Sequence, residues 1–343
     1  MNRKAMRTLG RVALGFGAGL AMAMLHRPPK PYRFTGRTVL ITGGSRGLGL
    51  LLARQLAREG ARLVLLARNP EELRNAEIEL TSAGATVLAL RCDIRKRDHV
   101  NHAVQRACDQ FGGIDVLINN AGVIQVGPLE HMTCEDFEDA MAVHFFGPLF
   151  TTLAVLPRMR QAGSGRIVNI SSIGGKIGVP HLVPYSASKF ALAGFSEALG
   201  AELRRHDILV TTVVPGLMRT GSPPNAHFKG QHKLEYAWFA LSDAMPGLSI
   251  SAERAAHKII QACRRGAPRL TIGFHTRAAI LLNEIFPGTS ARLTGLVNQL
   301  LPSPDPGGSK ELHSGWDSQS VFAPSWLTSL SDQATARNNE QRS

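Results

Sequence analysis

The sequence has few of the residues that build disulfide or zinc frameworks. Only four of its 343 residues are cysteine, and Cys92, Cys108, Cys134 and Cys263 form no Cys-x-x-Cys pair. No histidine stands near them at the spacing of a zinc ligand. We therefore predict neither a disulfide framework nor a metal site, and the scattered thiols indicate a reducing compartment.

Acidic residues are missing from the first 58 positions. This stretch carries eleven lysines and arginines, and Glu59 is the first acid. The net charge of the chain is +13, so subtracting these eleven cations leaves only +2 for the remaining 285 residues. A nucleic-acid-binding protein needs a basic patch on its folded body. The nearly neutral body therefore predicts no nucleic-acid partner.

A short uncharged segment lies within this basic N-terminus. Residues 12–25 are all Ala, Gly, Leu, Met, Phe or Val. As a helix they would span about 21 Å, less than the ~30 Å hydrocarbon core of a bilayer. Starting the helix at Leu9, with Arg11 reaching the headgroups, lengthens the span. We predict that residues 1–33 anchor the protein to a membrane, with a cleaved targeting peptide or a tail without a role as alternatives.

From Thr38 onward, short apolar runs alternate with amphipathic helical segments. Strands without polar alternation, separated by helices, are typical of a parallel sheet covered on both faces. We therefore predict an α/β fold: a doubly wound, Rossmann-type parallel sheet in a three-layer α/β/α domain. The predicted strands are 38–42, 62–67, 86–90, 116–119, 166–170 and 209–214, and the predicted helices are 48–59, 71–82, 98–110 and 186–205. The predicted parts are the N-terminal segment 1–33, the α/β domain 34–270, an apolar helical extension 271–301 and a disordered tail 302–343.

Glycines follow the first predicted strand, where the sequence reads TGGSRGLG. Glycine lets the chain turn tightly and lets its backbone approach a pyrophosphate, which the N-terminus of the next helix then stabilises. Between a strand and a helix, such a loop indicates a dinucleotide site. Its predicted binding residues are Thr42, Gly43, Ser45, Arg46, Gly47, Leu48 and Gly49.

The end of the second strand indicates which dinucleotide binds. An NAD site would offer an acid about 20 residues beyond the glycines. This strand ends Ala67-Arg68-Asn69, without a carboxylate, and Arg46 stands in the glycine loop. Two guanidinium groups without a carboxylate favour the 2′-phosphate of NADP(H). The alternative is that both arginines are solvated surface residues.

The ordered motifs over residues 34–269 resemble those of the short-chain dehydrogenases/reductases. Beside the glycine loop, the resemblance rests on Asp93, Asn119-Asn120-Ala121-Gly122, Ser172, Tyr185-x-x-x-Lys189, and Pro215-Gly216 with Thr220. It implies that Asp93 contacts adenine and that Asn119, Ala121 and Gly122 brace the fourth strand beside the cofactor. It also implies that Pro215, Gly216 and Thr220 lie near the nicotinamide amide, and that Lys189 holds the nicotinamide ribose.

Tyr185 and Lys189 are four residues apart, so they share one face of a predicted helix. A phenol is a weak acid, and an adjacent ammonium stabilises its phenolate. Tyr185 is therefore predicted to be the general acid in reduction and the general base in oxidation. Ser172 is predicted to hydrogen-bond the substrate oxygen as charge develops on it.

One predicted catalytic position, His144, departs from the family, which usually carries Asn there. In the family that Asn helps to hold a water of a proton relay behind the lysine, largely through its main-chain carbonyl. Histidine still presents that carbonyl, and its ring could also exchange protons itself. The alternative is a merely tolerated helix residue.

The substrate side is rich in aromatic residues. The segment 221–247, which resembles the family's variable lid, holds His227, Tyr236, Trp238, Phe239 and Met245, and Phe145 and Phe146 precede it. They indicate either an apolar pocket for a lipid, steroid, retinoid or other hydrophobic carbonyl, or ordinary core.

These observations predict an NADP(H)-dependent oxidoreductase of lipid metabolism that interconverts a carbonyl and an alcohol, reducing a hydrophobic aldehyde or ketone. The alternative is a nucleotide-binding scaffold or sensor with weakened catalysis. We also predict a homo-oligomer, dimer or tetramer, bound to a membrane with its catalytic domain facing the cytoplasm. A mitochondrial or a soluble cytoplasmic protein is the alternative. The apolar residues 278–301 would cover the substrate mouth, form a subunit contact or touch the membrane.

Overall fold

A computed structural model describes residues 32–244, 249–304, 310–319, 335 and 337–340 of the chain. The chain divides into two units, Met1–Tyr32 and Arg33–Ser343, and all elements given below belong to the second unit. Residues 1–31, where we predict the membrane segment, lie outside the described residues, as does Met245.

Seven parallel strands form the central sheet. They are β1 (Thr38–Thr42), β2 (Arg62–Ala67), β3 (Val87–Arg91), β4 (Val116–Asn119), β5 (Gly165–Ile170), β6 (Ile208–Pro215) and β7 (Arg269–Ile272). Their order in the sheet is β7-β6-β5-β4-β1-β2-β3. All five residues of β1 are buried, as expected for a strand with helices on both faces. The predicted Rossmann-type fold is confirmed.

Helices pack on the faces of this sheet or extend beyond it. They are α1 (Gly47–Arg58), α2 (Pro70–Ser82), α3 (Arg97–Phe111), α4 (Cys134–Met141), α5 (Gly147–Ala162), α6 (Val183–Leu203), α7 (His232–Ala244), α8 (Ala252–Arg265), α9 (Phe274–Ile285) and α10 (Pro287–Leu300). A π-helical turn at Ala142–Phe146 joins α4 to α5. The main core lies between the sheet and helices such as α3 and α5, with Val104, Val155 and Met159 among its buried members.

The aromatic residues of the segment 221–247 form part of a second, smaller core. Tyr236 and Phe239 are buried there against Phe228 and Val126. A three-stranded sheet supports this cluster, because His227–Phe228 pairs with Gln125–Val126 on one side and with His313–Ser314 on the other. Tyr236 and Phe239 are therefore ordinary core, the second of the two alternatives for these aromatic residues.

Helices α9 and α10 leave many apolar side chains exposed, from Phe274, 80% exposed, to Leu300, 86% exposed. Between them, Leu281, Leu282, Ile285, Phe286, Leu293, Leu296 and Val297 are also exposed. Helix α10 contains no buried residue within the part of the chain that the structure describes. The three roles considered for residues 278–301 all remain predictions.

The residues beyond Pro302, where we predict disorder, are ordered wherever the structure describes them. His313–Ser314 adds an antiparallel strand to His227–Phe228, and Ser318, Asn338 and Glu340 are buried. The disordered tail 302–343 otherwise stays a prediction.

One described helical run, Cys134–Ala162, is long and apolar enough to cross a bilayer. Half of its most apolar window is buried inside the fold, so it is weak evidence for a membrane span. A buried helix of a water-soluble core has the same length and composition.

Candidate active site

A cavity of about 760 Å³ opens at the carboxyl edge of the sheet. Parallel strands bring their carboxyl ends to the same edge, so residues far apart in the chain meet there. Sixteen of the predicted site residues line the cavity. They are Gly43, Ser45, Arg46, Gly47, Leu48, Arg68, Asp93, Ala121, Gly122, His144, Ser172, Tyr185, Lys189, Pro215, Gly216 and Thr220.

Three predicted residues, Thr42, Asn119 and Gly49, stand behind the cavity wall. The hydroxyl oxygen Oγ1 of Thr42 accepts hydrogen bonds from the backbone N–H groups of Asn120 and Ala121, at 3.0 and 3.1 Å. The Asn119 amide donates to Oδ1 of Asn169 at 2.8 Å, which ties β4 to β5. These groups hold the strand ends together and thereby shape the cavity.

The glycine loop requires glycine at several positions, including Gly47 and Gly49. Gly47 has φ +55°, a left-handed conformation that residues with side chains rarely adopt. A Cβ atom at Gly49 would overlap the carbonyl oxygen of Gly43. The loop therefore closes tightly over the N-terminus of α1, leaving a backbone cradle that fits the pyrophosphate of NADP(H).

Ser172, Tyr185 and Lys189 come together from two elements. Ser172 stands two residues after β5, where its Oγ accepts a hydrogen bond from Gly174 N–H at 3.1 Å. Tyr185 and Lys189 lie one turn apart on α6, with Lys189 Nζ 5.6 Å from the centroid of the tyrosine ring. Lys189 Nζ also donates to the carbonyl oxygen of Ile170 at 2.9 Å.

Burial makes Lys189 an unusual lysine. The residue is 4% exposed, and desolvation lowers its pKa to about 7. Its ammonium is close to losing a proton at neutral pH, beside Tyr185 in the same cavity. The hydroxyl of Tyr185 and the amino group of Lys189, whose pKa is lowered, thus belong to residues one turn apart on the same helix.

His144 is completely buried in the π-helical turn. Its Nε2 accepts a hydrogen bond from Val123 N–H at 3.1 Å, and its Nδ1 lies 2.8 Å from Ser188 Oγ, which itself donates to the Tyr185 carbonyl. This pattern requires a neutral ring with the proton on Nδ1. Burial, and secondarily the charge of Lys189, hold its pKa well below 6.5. Both ring nitrogen atoms therefore take part in hydrogen-bond contacts, one of them with Ser188 of α6, and the catalytic role of His144 stays a prediction.

The premise that no carboxylate stands near the two arginines is wrong. Glu72, on α2, lies in the cavity wall, where its carboxylate accepts hydrogen bonds from Ser45 Oγ at 3.0 Å and Arg46 Nη1 at 3.1 Å. The residue comes 23 positions after Gly49, about one helix turn beyond Asn69. Arg46 is thus partly neutralised, whereas Arg68 is exposed at the cavity rim.

Asp93, which the resemblance assigns to the adenine, is paired with Arg95. The guanidinium Nη2 lies 2.8 Å from Oδ2 of the aspartate, and this hydrogen bond is the main cause that lowers the aspartate's pKa. Arg95 also forms a salt bridge with Asp139. The adenine contact of Asp93 stays a prediction.

The cavity lining also contains residues that the sequence patterns did not reveal. Val123, Ile124, Met218, Ser222 and Asn225 contribute to it. Among the described lining residues, Tyr185 is the single Phe, Tyr or Trp, and neither Phe145 nor Phe146 reaches the cavity. Ser222 and Asn225 belong to a helical turn after Thr220, whose position depends on tertiary packing and leaves no motif in the sequence.

Comparisons with known proteins agree with this geometry. The model of the short chain dehydrogenase family matches residues 37–227. The dehydrogenase/reductase SDR family protein 7-like of Anopheles gambiae is 32% identical over 272 residues, 78% of this chain and 84% of that protein. A ketoacyl reductase of a Nostoc species is 38% identical over 182 residues, 53% of this chain and 63% of that protein.

The fold also resembles a solved structure. A gluconate 5-dehydrogenase from Burkholderia cenocepacia, crystallised with NADP and tartrate, superimposes with a TM-score of 0.62 at 26% identity. The superposition covers 72% of this chain and 97% of the other.

Proposed function

Because the chain belongs to the short-chain dehydrogenase family, we propose that it interconverts a carbonyl and an alcohol with NADP(H), using Tyr185 as general acid and base. The observation that carries the proposal is the shared cavity: Ser172, Tyr185 and Lys189 line the same space as the glycine loop. A substrate and a dinucleotide can therefore meet in it.

When NADP(H) is bound, its nicotinamide would supply or accept the hydride. The side chains of the protein transfer the proton and stabilise the charge that develops. In reduction, the Tyr185 hydroxyl donates its proton to the carbonyl oxygen as negative charge develops there. The Lys189 ammonium stabilises the phenolate left behind. The Ser172 hydroxyl can donate a hydrogen bond to the same oxygen. The oxidation of an alcohol reverses these steps.

The choice of NADP(H) rests on the cations of the cavity rim. Arg68 faces the solvent at the end of β2, where a 2′-phosphate would approach, while Arg46 keeps Glu72 as a partner. The gluconate 5-dehydrogenase that this fold resembles was crystallised with NADP. The reductive direction follows from the cellular NADPH pool, which is usually kept reduced.

The substrate we propose is a hydrophobic aldehyde or ketone. Ile124 and Met218 supply apolar surface to the cavity near Tyr185, and one relative of this chain is a ketoacyl reductase. The structure of the gluconate 5-dehydrogenase contains tartrate, which is polar. The substrate panel should therefore include polar carbonyls as well.

The test is NADPH oxidation with a panel of hydrophobic and polar carbonyls. Wild type should turn over at least one of them, and Tyr185→Phe should lower kcat by about 10²–10⁴-fold, because the general acid is lost. Tyr236→Phe is the matched control, since Tyr236 lies in the second core. NADPH binding without turnover of any carbonyl would favour a scaffold or sensor instead.

We further propose that the N-terminal residues bind the protein to a membrane, with the catalytic domain on the cytoplasmic side, and that the domain forms a dimer or tetramer. The support is chemical: residues 12–25 are uncharged between two basic flanks. Carbonate-resistant membrane association should disappear when residues 1–33 are deleted. A full-length protein that stays in the soluble fraction contradicts the anchor.

A further inference from the structure

The C-terminal residues 337–340 lie on the glycine loop. The Asn338 carbonyl accepts a hydrogen bond from Gly47 N–H at 2.9 Å, in the first turn of α1. The Asn339 side-chain amide donates to the carbonyl oxygens of Ser45 and Glu72, both at 3.0 Å. One peptide carbonyl and one side-chain amide of the tail thereby bond backbone atoms that border the cradle.

Arg54 of α1 adds two bonds to the same segment. Its guanidinium donates to Asn338 Oδ1 at 3.1 Å and to the carbonyl oxygen of Arg337 at 3.0 Å. The same guanidinium is paired with Glu79. Removal of the tail would therefore leave the Arg54 charge partnered, so these contacts can form and break at low cost.

Glu340 points its carboxylate into the cavity itself. The residue is 6% exposed, and Oε2 accepts a hydrogen bond from Gly221 N–H at 2.9 Å. A Cβ atom placed on Gly47 would lie 2.8 Å from its Oε1, so the carboxylate stands directly over the loop. Asn225, which also bonds Arg46, donates to the Glu340 carbonyl oxygen at 3.0 Å.

An anion against the first turn of a helix that follows a glycine loop occupies the place of a dinucleotide pyrophosphate. Glu340 supplies such an anion, and Glu340 lines the same cavity as Tyr185 and Lys189. We propose that residues 337–340 are a built-in ligand of the dinucleotide site, docking on the glycine loop and leaving it before NADP(H) binds. This inference rests on the proposed function, because it assigns the competing ligand.

Docking of the tail reduces the apparent affinity for the dinucleotide. The apparent Kd equals the intrinsic Kd divided by the fraction of molecules whose site is open, so a tail docked nine times in ten raises the apparent Kd about tenfold.

Burial of the Glu340 carboxylate opposes docking, because it disfavours the charged form of this side chain. This desolvation is the largest cause that raises the pKa of Glu340 to about 7. Of the charged groups facing it, Arg46 lowers that pKa and Glu72 raises it.

The experiment compares the full chain with a protein that ends at residue 334, both titrated with NADPH by fluorescence. The shortened protein should bind NADPH about tenfold more tightly. A nine-residue peptide of sequence 335–343 should then weaken binding to the shortened protein, and a scrambled peptide should not. Equal Kd values for the two proteins would overturn the proposal.

Point variants test the same contact within a full-length chain. Asn339 has φ +57°, which asparagine tolerates and alanine does not, and its amide makes two of the docking bonds. Asn339→Ala should therefore lower the Kd for NADPH several-fold. Asn298→Ala, on the exposed face of α10, is the matched control and should leave it unchanged.

Hydrogen exchange without any dinucleotide separates this inference from the proposed function. The amides of Gly47 and Gly221 donate to the tail, so they should exchange faster in the shortened protein. Equal exchange would overturn docking, whatever the protein binds. If exchange changes but neither protein binds NADPH, docking stands and the proposed cofactor is wrong.

Discussion

Lys189 is a buried cation that the fold holds at a cost. Its pKa falls from 10.5 to about 7, so between these pH values the unfolded chain keeps a proton that the folded protein has released. The free energy of unfolding should therefore rise with pH across this window, and the penalty is largest below pH 7. We infer that the chain gives up stability to place an ammonium beside Tyr185.

Lys189→Met should abolish turnover yet raise stability at pH 6. We expect a gain of about 1–3 kcal/mol, because the relieved desolvation exceeds the lost hydrogen bond to Ile170. The gain should shrink towards pH 10, as measured by urea unfolding at several pH values. Lys258→Met, on the exposed face of α8, is the control. A destabilised Lys189→Met protein at pH 6 would contradict this account of the site.

We expect Arg68 to carry the cofactor preference, since Arg46 is already paired with Glu72. Arg68→Asp should weaken NADPH binding by about 10–100-fold relative to NADH, because a charge-assisted bond is replaced by repulsion. The measurement is a pair of fluorescence titrations. Arg74→Asp makes the same charge change on the exposed surface of α2. An unchanged NADPH-to-NADH ratio for Arg68→Asp would refute the role of Arg68.

Single residues of the site were predictable where a motif joins residue type to spacing. Tyr185, Lys189 and the glycines fall in this group. The contacts of Glu72 and His144 could not be predicted in this way. Glu72 reaches the site from the next helix turn, where it bonds Ser45. His144 bonds Val123 and Ser188. Such contacts depend on tertiary structure and leave no local pattern.

Two elements beside the site are joined by a buried contact between a histidine ring and a carboxylate. His181 precedes α6 with φ +60°, and its Nδ1 lies 2.9 Å from both carboxylate oxygens of Glu235 on α7. Trp238 Nε1 also donates to Glu235, at 2.6 Å. The backbone of His181 adopts a left-handed conformation. Its carbonyl oxygen accepts a hydrogen bond from Gly127 N–H at 2.8 Å, which holds this backbone in place. These bonds fix the loop that leads into Tyr185.

Glu235→Ala should lower the free energy of unfolding by about 3–5 kcal/mol, since it leaves His181 and Trp238 buried without their acceptor. Urea unfolding monitored by circular dichroism measures the loss. Glu138→Ala, at an exposed position of α4, should change stability by less than about 0.5 kcal/mol. Equal effects of the two substitutions would show that the pair contributes no net stability.

The strands and helices that were predicted with bounds match the structure to within a few residues. The strands at 38–42, 62–67 and 116–119 match β1, β2 and β4, because buried parallel strands have continuous apolar runs. The π-helical turn at 142–146 and the strand at 313–314 were not predicted. The first inserts one extra residue per turn into an otherwise helical pattern, and the second is held by pairing with a distant strand.

At the scale of the whole molecule, charge is distributed unevenly along the chain. Eleven cations precede the first acid, and nine of them lie before residue 54. One of these nine, Arg46, belongs to the cavity. The other end of the chain returns to that cavity through Glu340. A net charge of +13 therefore describes the N-terminal part of the chain and says little about the surface of the folded domain.

The most direct test of the central claim follows the hydride itself. The full-length protein is incubated with a carbonyl from the active panel and NADPH that carries deuterium at the transferable position of its nicotinamide. The account predicts an alcohol with one deuterium on the carbinol carbon, and no such product from Tyr185→Phe at the same times. An alcohol without deuterium, or equal labelling by Tyr185→Phe, would contradict hydride transfer assisted by this tyrosine.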